Sequence, residues 1–293
     1  MEKQVVVVKR VGILYHPMIE AACSLAKKLE EFLKSKGVSV WLCSAWEEDR
    51  AVKQVDDTGL IITTGGDGTI LRAAQVVLSA QVPLTGINLG KLGFMTELSA
   101  GEALEKLPAL LSGEGWIDER AMIEAELSVE RGTVQTFHAL NDVVLARRSI
   151  ARMVYVEASI DGEPLTTYRA DGVIVATATG STGYSLAAGG PILHPQTKEF
   201  LLTPITPHLS WTYSLVLPAT AVVKLRISTA HEATLSIDGH INLPLASGAT
   251  VRVKHSSKVV RFLRIHPEVS FYGSLEQRLK GKRENEIRKS QNQ

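Results

Sequence analysis

Residues 60–72 read Leu-Ile-Ile-Thr-Thr-Gly-Gly-Asp-Gly-Thr-Ile-Leu-Arg: an apolar strand, a glycine turn holding one acid, Asp67, and the start of a helix. Lacking β-carbons, Gly65, Gly66 and Gly68 let the backbone turn sharply and bring its N–H groups up to an anion. The positive end of the following helix dipole assists. With Thr69 they form a phosphate loop. A carboxylate is out of place where only phosphate binds, because it repels the anion. Asp67 therefore points to a hydroxyl, a metal or a ribose meeting the phosphate at the same spot.

A second cradle lies further along. The apolar run Val173–Ala176 leads into Thr177-Ala178-Thr179-Gly180-Ser181-Thr182-Gly183-Tyr184 and then into the small-residue stretch 185–190, read as a helix. A hydroxyl-rich turn between strand and helix suits a pyrophosphate or an adenine edge. Asn141-Asp142, just before the apolar strand Val143–Ala146, offers an amide and a carboxylate that can grip hydroxyls; a plain Asn-Asp turn is the alternative. Arg72 stands a little over one helical turn beyond Asp67, either facing solvent or neutralising a phosphate. Other chemistries lack their residues: there is no His-Glu-x-x-His, no Cys-x-x-Cys and no Walker G-x-x-x-x-G-K-[ST]. No protein metal ligands are assigned.

The elements that must position these groups fall into two textures. Up to about residue 117, β-branched runs alternate with helical patterns: strands over 5–15, 38–43, 60–63 and 83–87, helices over 21–36 and 69–79. That rhythm implies a parallel, Rossmann-like α/β sheet. Ligands of such sheets sit at the carboxyl ends of the strands, where the loops Gly65–Thr69 and Asn88–Phe94 would line one crevice. Gly90 and Gly93 there permit close backbone approach, and Lys91 offers charge. Beyond Trp116 the alternation in 121–130, 154–160, 222–228 and 250–255 indicates a mostly antiparallel β domain. The expected division is 1–117, rejoined by 264–293, and 118–263. The charge-dense stretch from 276 to 293 reads as a solvated tail.

With 293 residues, 45% of them hydrophobic, the chain suits two domains. A net charge of +1 speaks against bulk polyanion binding, so no nucleic-acid partner is expected. No apolar run approaches the ~20 residues that span a bilayer, and no signal peptide is visible. The expectation is a soluble cytoplasmic protein, off the membrane, with Cys23 and Cys43 reduced.

Taken together, Gly65-Gly66-Asp67-Gly68-Thr69, Asn88-Leu-Gly90-Lys-Leu-Gly93-Phe94, Asn141-Asp142, Asp171-Gly172, Thr179–Tyr184 and Ala188-Gly189-Gly190-Pro191 resemble, in order and spacing, the motifs of NAD kinases. The resemblance spans about residues 10–273. The Gly-Gly-Asp-Gly loop alone also occurs in diacylglycerol and sphingoid-base kinases and in phosphofructokinases. A lipid kinase would need an exposed apolar entry helix, for which there is no candidate, and a catalytically silent NAD-binding protein would have no use for Asp67.

The resemblance implies phosphorylation of the adenosine-ribose 2′-hydroxyl of NAD to give NADP, with ATP or polyphosphate as donor and Mg²⁺ or another divalent cation. It implies Asp67 as proton acceptor holding the ribose together with Gly68, and Arg72 as a phosphate contact. Asn141 and Asp142 match the family's Asn-Glu pair, one methylene short. Asp171 would hold the nicotinamide end, with Arg169 on the same strand face, and Arg152 would make a further contact. The loop Thr182, Gly183, Tyr184, Ser185, Leu186 and Ala187 would wrap the dinucleotide, and His240 stands where the family often has Gln. A homodimer or homotetramer with a shared site is implied. Ala178 for Pro, Gly183 for Ala, and Trp211-Thr-Tyr-Ser-Leu215 for an Arg-Pro stretch depart from the pattern.

Overall fold

The computed structural model describes residues 8–90, 93–128, 134–149, 152–209, 211–229, 232–268, 271–273, 275–276 and 278–279. Lys91, the start of the first expected strand at Val5, Glu130 and the tail beyond residue 279 lie outside the described residues. The chain packs as two units, one up to Glu119 and again from Val260, the other Arg120–Val259.

The first unit runs β1 (Arg10–Tyr15), α1 (Glu20–Ser35), β2 (Ser39–Ser44), α2 (Glu48–Val52), β3 (Leu60–Thr64), α3 (Asp67–Val77), β4 (Leu84–Asn88), β5 (Leu98–Ser99) and α4 (Ala103–Leu111). Its strands are parallel in the order β2-β1-β3-β4, with β5 continuing beside the end of β4. Sequence explains the layering. Ala22, Leu25, Ala26, Leu29 and Leu33 recur at helical spacing and are buried, so α1 lies with one apolar stripe against Val11, Ile13, Leu60 and Ile62. β3 is buried at every position because helices cover both its faces. Gly37, with φ of 77°, ends α1 in a left-handed turn that returns the chain to β2. α4 escapes a periodicity reading because Pro108 sits inside it.

The second unit is built from β6 (Trp116–Ser128), β7 (Gln135–Ala139), β8 (Asp142–Arg147), β9 (Val154–Ile160), β10 (Glu163–Ala170), β11 (Gly172–Ala176), α5 (Tyr184–Ala187), β12 (Phe200–Ile205), β13 (Leu215–Leu217), β14 (Val222–Ser228), β15 (Ala233–Ile237), β16 (Ile241–Leu245) and β17 (Thr250–Arg264). The unit boundaries fall inside β6 and β17, and Phe262 at the far end of β17 pairs in parallel with Leu84 of β4 in the first unit. Within the second unit, β10-β9-β14-β17 are antiparallel. Facing them is a six-stranded sheet, β13-β12-β11-β8-β15-β16. The inward positions of both sheets form one core: Val143, Leu145, Val173 and Val175 from one side, Val154, Val156, Val223 and Leu225 from the other. The outward face of the six-stranded sheet carries its own smaller cluster, Val144, Ile174, Ala176, Leu201 and Ile205, against which Ala188 and Leu193 pack. This explains why β11 reads as an unbroken apolar run: both faces are covered.

The architecture is therefore an N-terminal α/β sheet followed by a mostly antiparallel β sheet, the expected class. The helix foreseen over 185–190 is shorter and earlier, a 3-10 turn at Gly180–Thr182 and then α5 of four residues. Gly189, with φ of 89°, ends any helical continuation.

Candidate active site

In the first unit, β3 ends at Thr64 and α3 begins at Asp67 itself, with Gly66 as the extended N-cap. Asp67 is thus the first helical residue, two residues before the expected start at Thr69. The opening turn of a helix has N–H groups without intrahelical partners, which suits an anion. The Asp67 carboxylate is fixed by the neighbouring loop: Phe94 N–H donates to Oδ2 at 2.9 Å and Met95 N–H to Oδ1 at 3.1 Å. A β-carbon on Gly93 would stand 2.2 Å from that same Oδ1, so only glycine permits the approach. The two loops predicted to line one crevice do meet, and backbone amides join them. Asn88, at the carboxyl end of β4 and 3% exposed, shapes the second loop by accepting from the Gly90 N–H at 3.0 Å.

Arg72 is neither a solvent-facing helix residue nor in contact with Asp67 among the described interactions. Its guanidinium lies 4.3 Å from the centroid of the Trp46 ring, which in turn meets His16 edge-on at 4.4 Å. Burial lowers the guanidinium from its ordinary value and Glu48 works against that shift. The Trp46 ring holds the Arg72 guanidinium in place on α3.

In the second unit, strand register gathers one group of residues. Ala176 pairs with Asp142 and Ile237 with Val143, so the start of β8 lies beside the ends of β11 and β15. A cleft of about 550 Å³ is lined at this end by Asn141, Asp142, Tyr184 and Asp238, and at the other by Arg147 and Arg148. The intervening length of β8 makes it elongated, about 20 Å at ~3.3 Å per residue. Asn141 Oδ1 is buried without a partner among the described residues, an acceptor held ready for a ligand donor. Asp142 is 6% exposed, and burial, reinforced by the Asp238 carboxylate, pushes its carboxyl up to about 7. At neutral pH it stands between donor and acceptor states. Gly180 packs so tightly on this segment that a β-carbon would sit 2.0 Å from the Asn141 carbonyl oxygen.

Several expected contact groups are differently engaged. Asp171 and Arg169 do not share a strand face, because β10 ends at Ala170 and the chain crosses at Asp171 into the other sheet. Asp171 instead pairs with Arg147, Nε to Oδ1 at 2.5 Å and Nη2 to Oδ2 at 3.3 Å. Arg169 is half-buried on β10 with its Nε unpartnered among the described residues. Arg152 is exposed just before β9. The hydroxyls of the second cradle turn inward: Thr182 Oγ1 donates to the Thr179 carbonyl at 3.3 Å, Thr179 Oγ1 accepts from Arg120 at 3.5 Å, and Ser185 Oγ bonds Thr203 Oγ1 at 3.1 Å. They hold the turn's shape, which leaves Gly183, Tyr184, Leu186 and Ala187 as its more exposed part. His240 places Nδ1 3.2 Å from the Asp238 carbonyl oxygen.

Sequence reading gave no role to Arg147 or Asp238. Asp238 carried a usable signal: an Asp-Gly pair between two apolar runs marks a turn, and both residues have positive φ, 48° and 71°.

Residues 11–115 match the ATP-NAD kinase N-terminal domain and residues 140–265 the ATP-NAD kinase C-terminal domain. An NAD kinase of Dehalococcoides mccartyi is 51% identical over 278 residues, 94% of this chain and 98% of that protein. One from Chloroflexus aurantiacus is 40% identical over 272 residues, covering 93% and 99%. Among solved structures, yeast NADH kinase complexed with NADH superposes with a TM-score of 0.82 at 25% identity, covering 92% of this chain and 87% of that one. An Archaeoglobus fulgidus NAD kinase in complex with ATP gives a TM-score of 0.71 at 26% identity, covering 91% and 98%. With both domains matched and half of all residues shared with a full-length relative, the chain belongs to the NAD kinase family.

Proposed function

We propose that this NAD kinase, which phosphorylates NAD to NADP, acts on the 2′-hydroxyl of the adenosine ribose, with ATP as donor and Asp67 as the residue that orients the hydroxyl and accepts its proton. The observation that carries this is the fixed carboxylate: each of its oxygens accepts a backbone N–H from the neighbouring loop. An acid so held orients a hydroxyl well and costs little to organise. The N–H groups at the start of α3 receive phosphate in the turn of Gly65, Gly66, Gly68 and Thr69, where the Gly65 N–H is already given to the Ile87 carbonyl and the Thr69 N–H to that of Gly66, and Arg72 adds charge. Polyphosphate offers the same oxygens and is the alternative donor.

The second unit holds the dinucleotide in its elongated cleft. Asn141 and Asp142 take hydroxyls or an amino edge at one end, and the backbone of Gly183–Ala187 lies along the ligand. Tyr184, 47% exposed, offers a ring face. Arg147 with Asp171 closes the other end, with Arg152 and Arg169 further out, while His240 stands beside Asp238 at the Asn141 end. A divalent cation, Mg²⁺ above all, would supply neutralisation of the charge developing on the transferred group. Asp67 is the carboxylate that fits beside it. We take the two units as the two functional domains, 1–117 with 264–293, and 118–263. A homo-oligomer is proposed as well. Its support is the cluster of exposed apolar side chains, Leu209, Trp211, Tyr213 and Val216, leading into the edge strand β13. A cytoplasmic location accords with the free thiols of Cys23 and Cys43 and with the lack, among the described residues, of any helix long and apolar enough to cross a membrane.

The test is direct. Incubate the protein with NAD, Mg²⁺ and either ATP or polyphosphate, measure NADP, and run Asp67→Asn alongside. The variant is expected to lose about 10²–10⁴-fold in kcat. No NADP with either donor would overturn the activity, and a full rate in Asp67→Asn would overturn the role of that carboxylate.

A further inference from the structure

Asp238 is buried, 5% exposed, and its carboxylate is committed to one neighbour. Oδ2 accepts the Leu140 N–H at 2.9 Å, while Oδ1 accepts the Asn141 N–H at 2.7 Å and the Asp142 N–H at 3.1 Å. The Asp238 N–H returns a bond to the Asp142 carbonyl at 2.9 Å. The remaining carbonyls of the segment are taken by Thr177: its hydroxyl donates to the Leu140 carbonyl at 2.5 Å and its N–H to the Asn141 carbonyl at 2.9 Å. The peptide groups of Leu140–Asp142 are thereby bonded in every direction, and their side chains are left to point elsewhere. Thr177 Oγ1 also accepts the Gly180 N–H at 3.0 Å, tying the same segment to the turn that begins the second cradle.

We infer that Asp238 is a positioning residue for NAD: by holding three successive peptide N–H groups it fixes the angle at which Asn141 and Asp142 enter the cleft. This rests on the reading of Asn141 and Asp142 as ligand contacts. Three features support it. Asp238 and Gly239 themselves line the cleft beside that pair. Asn141 Oδ1 is left without a partner among the described residues while every backbone group around it is satisfied, as expected of a side chain aimed at something external. Finally, the arrangement is electrostatically costly, since the Asp238 carboxylate is one of the causes that raise Asp142. A clamp serving only the fold would avoid placing its charge beside a second buried acid.

The test compares Asp238→Asn, Asn141→Ala and the double variant. In Asp238→Asn an amide N–H₂ must face at least one peptide N–H, so the segment tilts while the volume is kept. The KM for NAD is expected to rise tenfold or more, with the KM for ATP within twofold of wild type. KM does not depend on how much of the protein is folded, so loss of stability alone leaves it unchanged. In the Asn141→Ala background the further effect of Asp238→Asn on the NAD KM should shrink to less than threefold, because the two act through one contact. If Asp238→Asn leaves the NAD KM within twofold, or if its effect multiplies undiminished with that of Asn141→Ala, Asp238 does not position that contact. If Asn141→Ala itself leaves the NAD KM unchanged, the underlying ligand assignment fails instead, and the two failures are distinct.

Discussion

Asp142 gives the sharpest test of the electrostatics in the cleft. Its carboxyl lies beside that of Asp238 and is almost wholly removed from water, which moves it from the ordinary 3.8 to about 7. Between those values the folded chain binds a proton that the unfolded chain has released, so stability falls as pH rises through the window and levels off above the folded value. The displacement of about three pH units at ~1.4 kcal/mol each is on the order of 4 kcal/mol by the time the fold holds the charged form. Asp142→Asn keeps the shape, leaves the Asp238 bonds to the backbone intact, and removes the titration. At about pH 8 the variant should be more stable by a few kcal/mol, raising the midpoint of this unit by roughly 10 °C. At about pH 5, where the folded wild type is already protonated, the gain should shrink to around 2 kcal/mol, and it should vanish only below about pH 3, under the unfolded value. Thermal unfolding of the ligand-free protein followed by circular dichroism across this range measures it. A gain of equal size at both ends, or a variant less stable throughout, would refute the argument, because either result means that Asp142 is not the buried acid titrating in the window.

Two further outcomes follow from distances already given. Gly93→Ala puts a methyl 2.2 Å from Asp67 Oδ1, so the carboxylate must leave its amides. A misplacement of this order should cost kcat about 10²-fold, with the NAD dissociation constant little changed; isothermal titration together with steady-state rates separates the two, and an unaltered kcat removes the role assigned to the Gly93–Met95 turn. Arg147→Ala breaks the pair with Asp171, whose side chains are 26% and 32% exposed. Stability should fall by no more than about 1 kcal/mol while the KM for NAD rises several-fold. A large loss of stability with an unchanged KM would show the pair to be structural.

How much was legible in the sequence differed between backbone and side chains. The parallel sheet was readable because β1, β3 and β4 are short β-branched runs separated by helical stripes such as Ala22–Leu33, and that periodicity depends only on near neighbours in the chain. The α4 helix was hidden by Pro108 and β12 by Pro204, residues that contradict the element they occupy. The glycine turn between β3 and α3 was readable as well, since Gly65, Gly66 and Gly68 follow an apolar run and precede a helical stripe. What the acid touches was not: Phe94 and Met95 lie far along the chain, and their N–H groups carry no residue-type signal.

The sequence by itself determined the family and the fold class, because those rest on local pattern and on several motifs occurring together, and it singled out Asp67 as the acid expected to meet the hydroxyl. Tertiary structure decided which polar groups remain open to a ligand. Thr179, Thr182 and Ser185 were expected as contacts, and the fold engages their hydroxyls with Arg120, the Thr179 carbonyl and Thr203. Asp238 looked like part of an ordinary Asp-Gly turn and proved to hold Leu140–Asp142 from about a hundred residues away. The reason is physical: a buried hydroxyl or carboxylate must find a partner, and which partner it finds depends on strand register, which two distant segments set only when they pair.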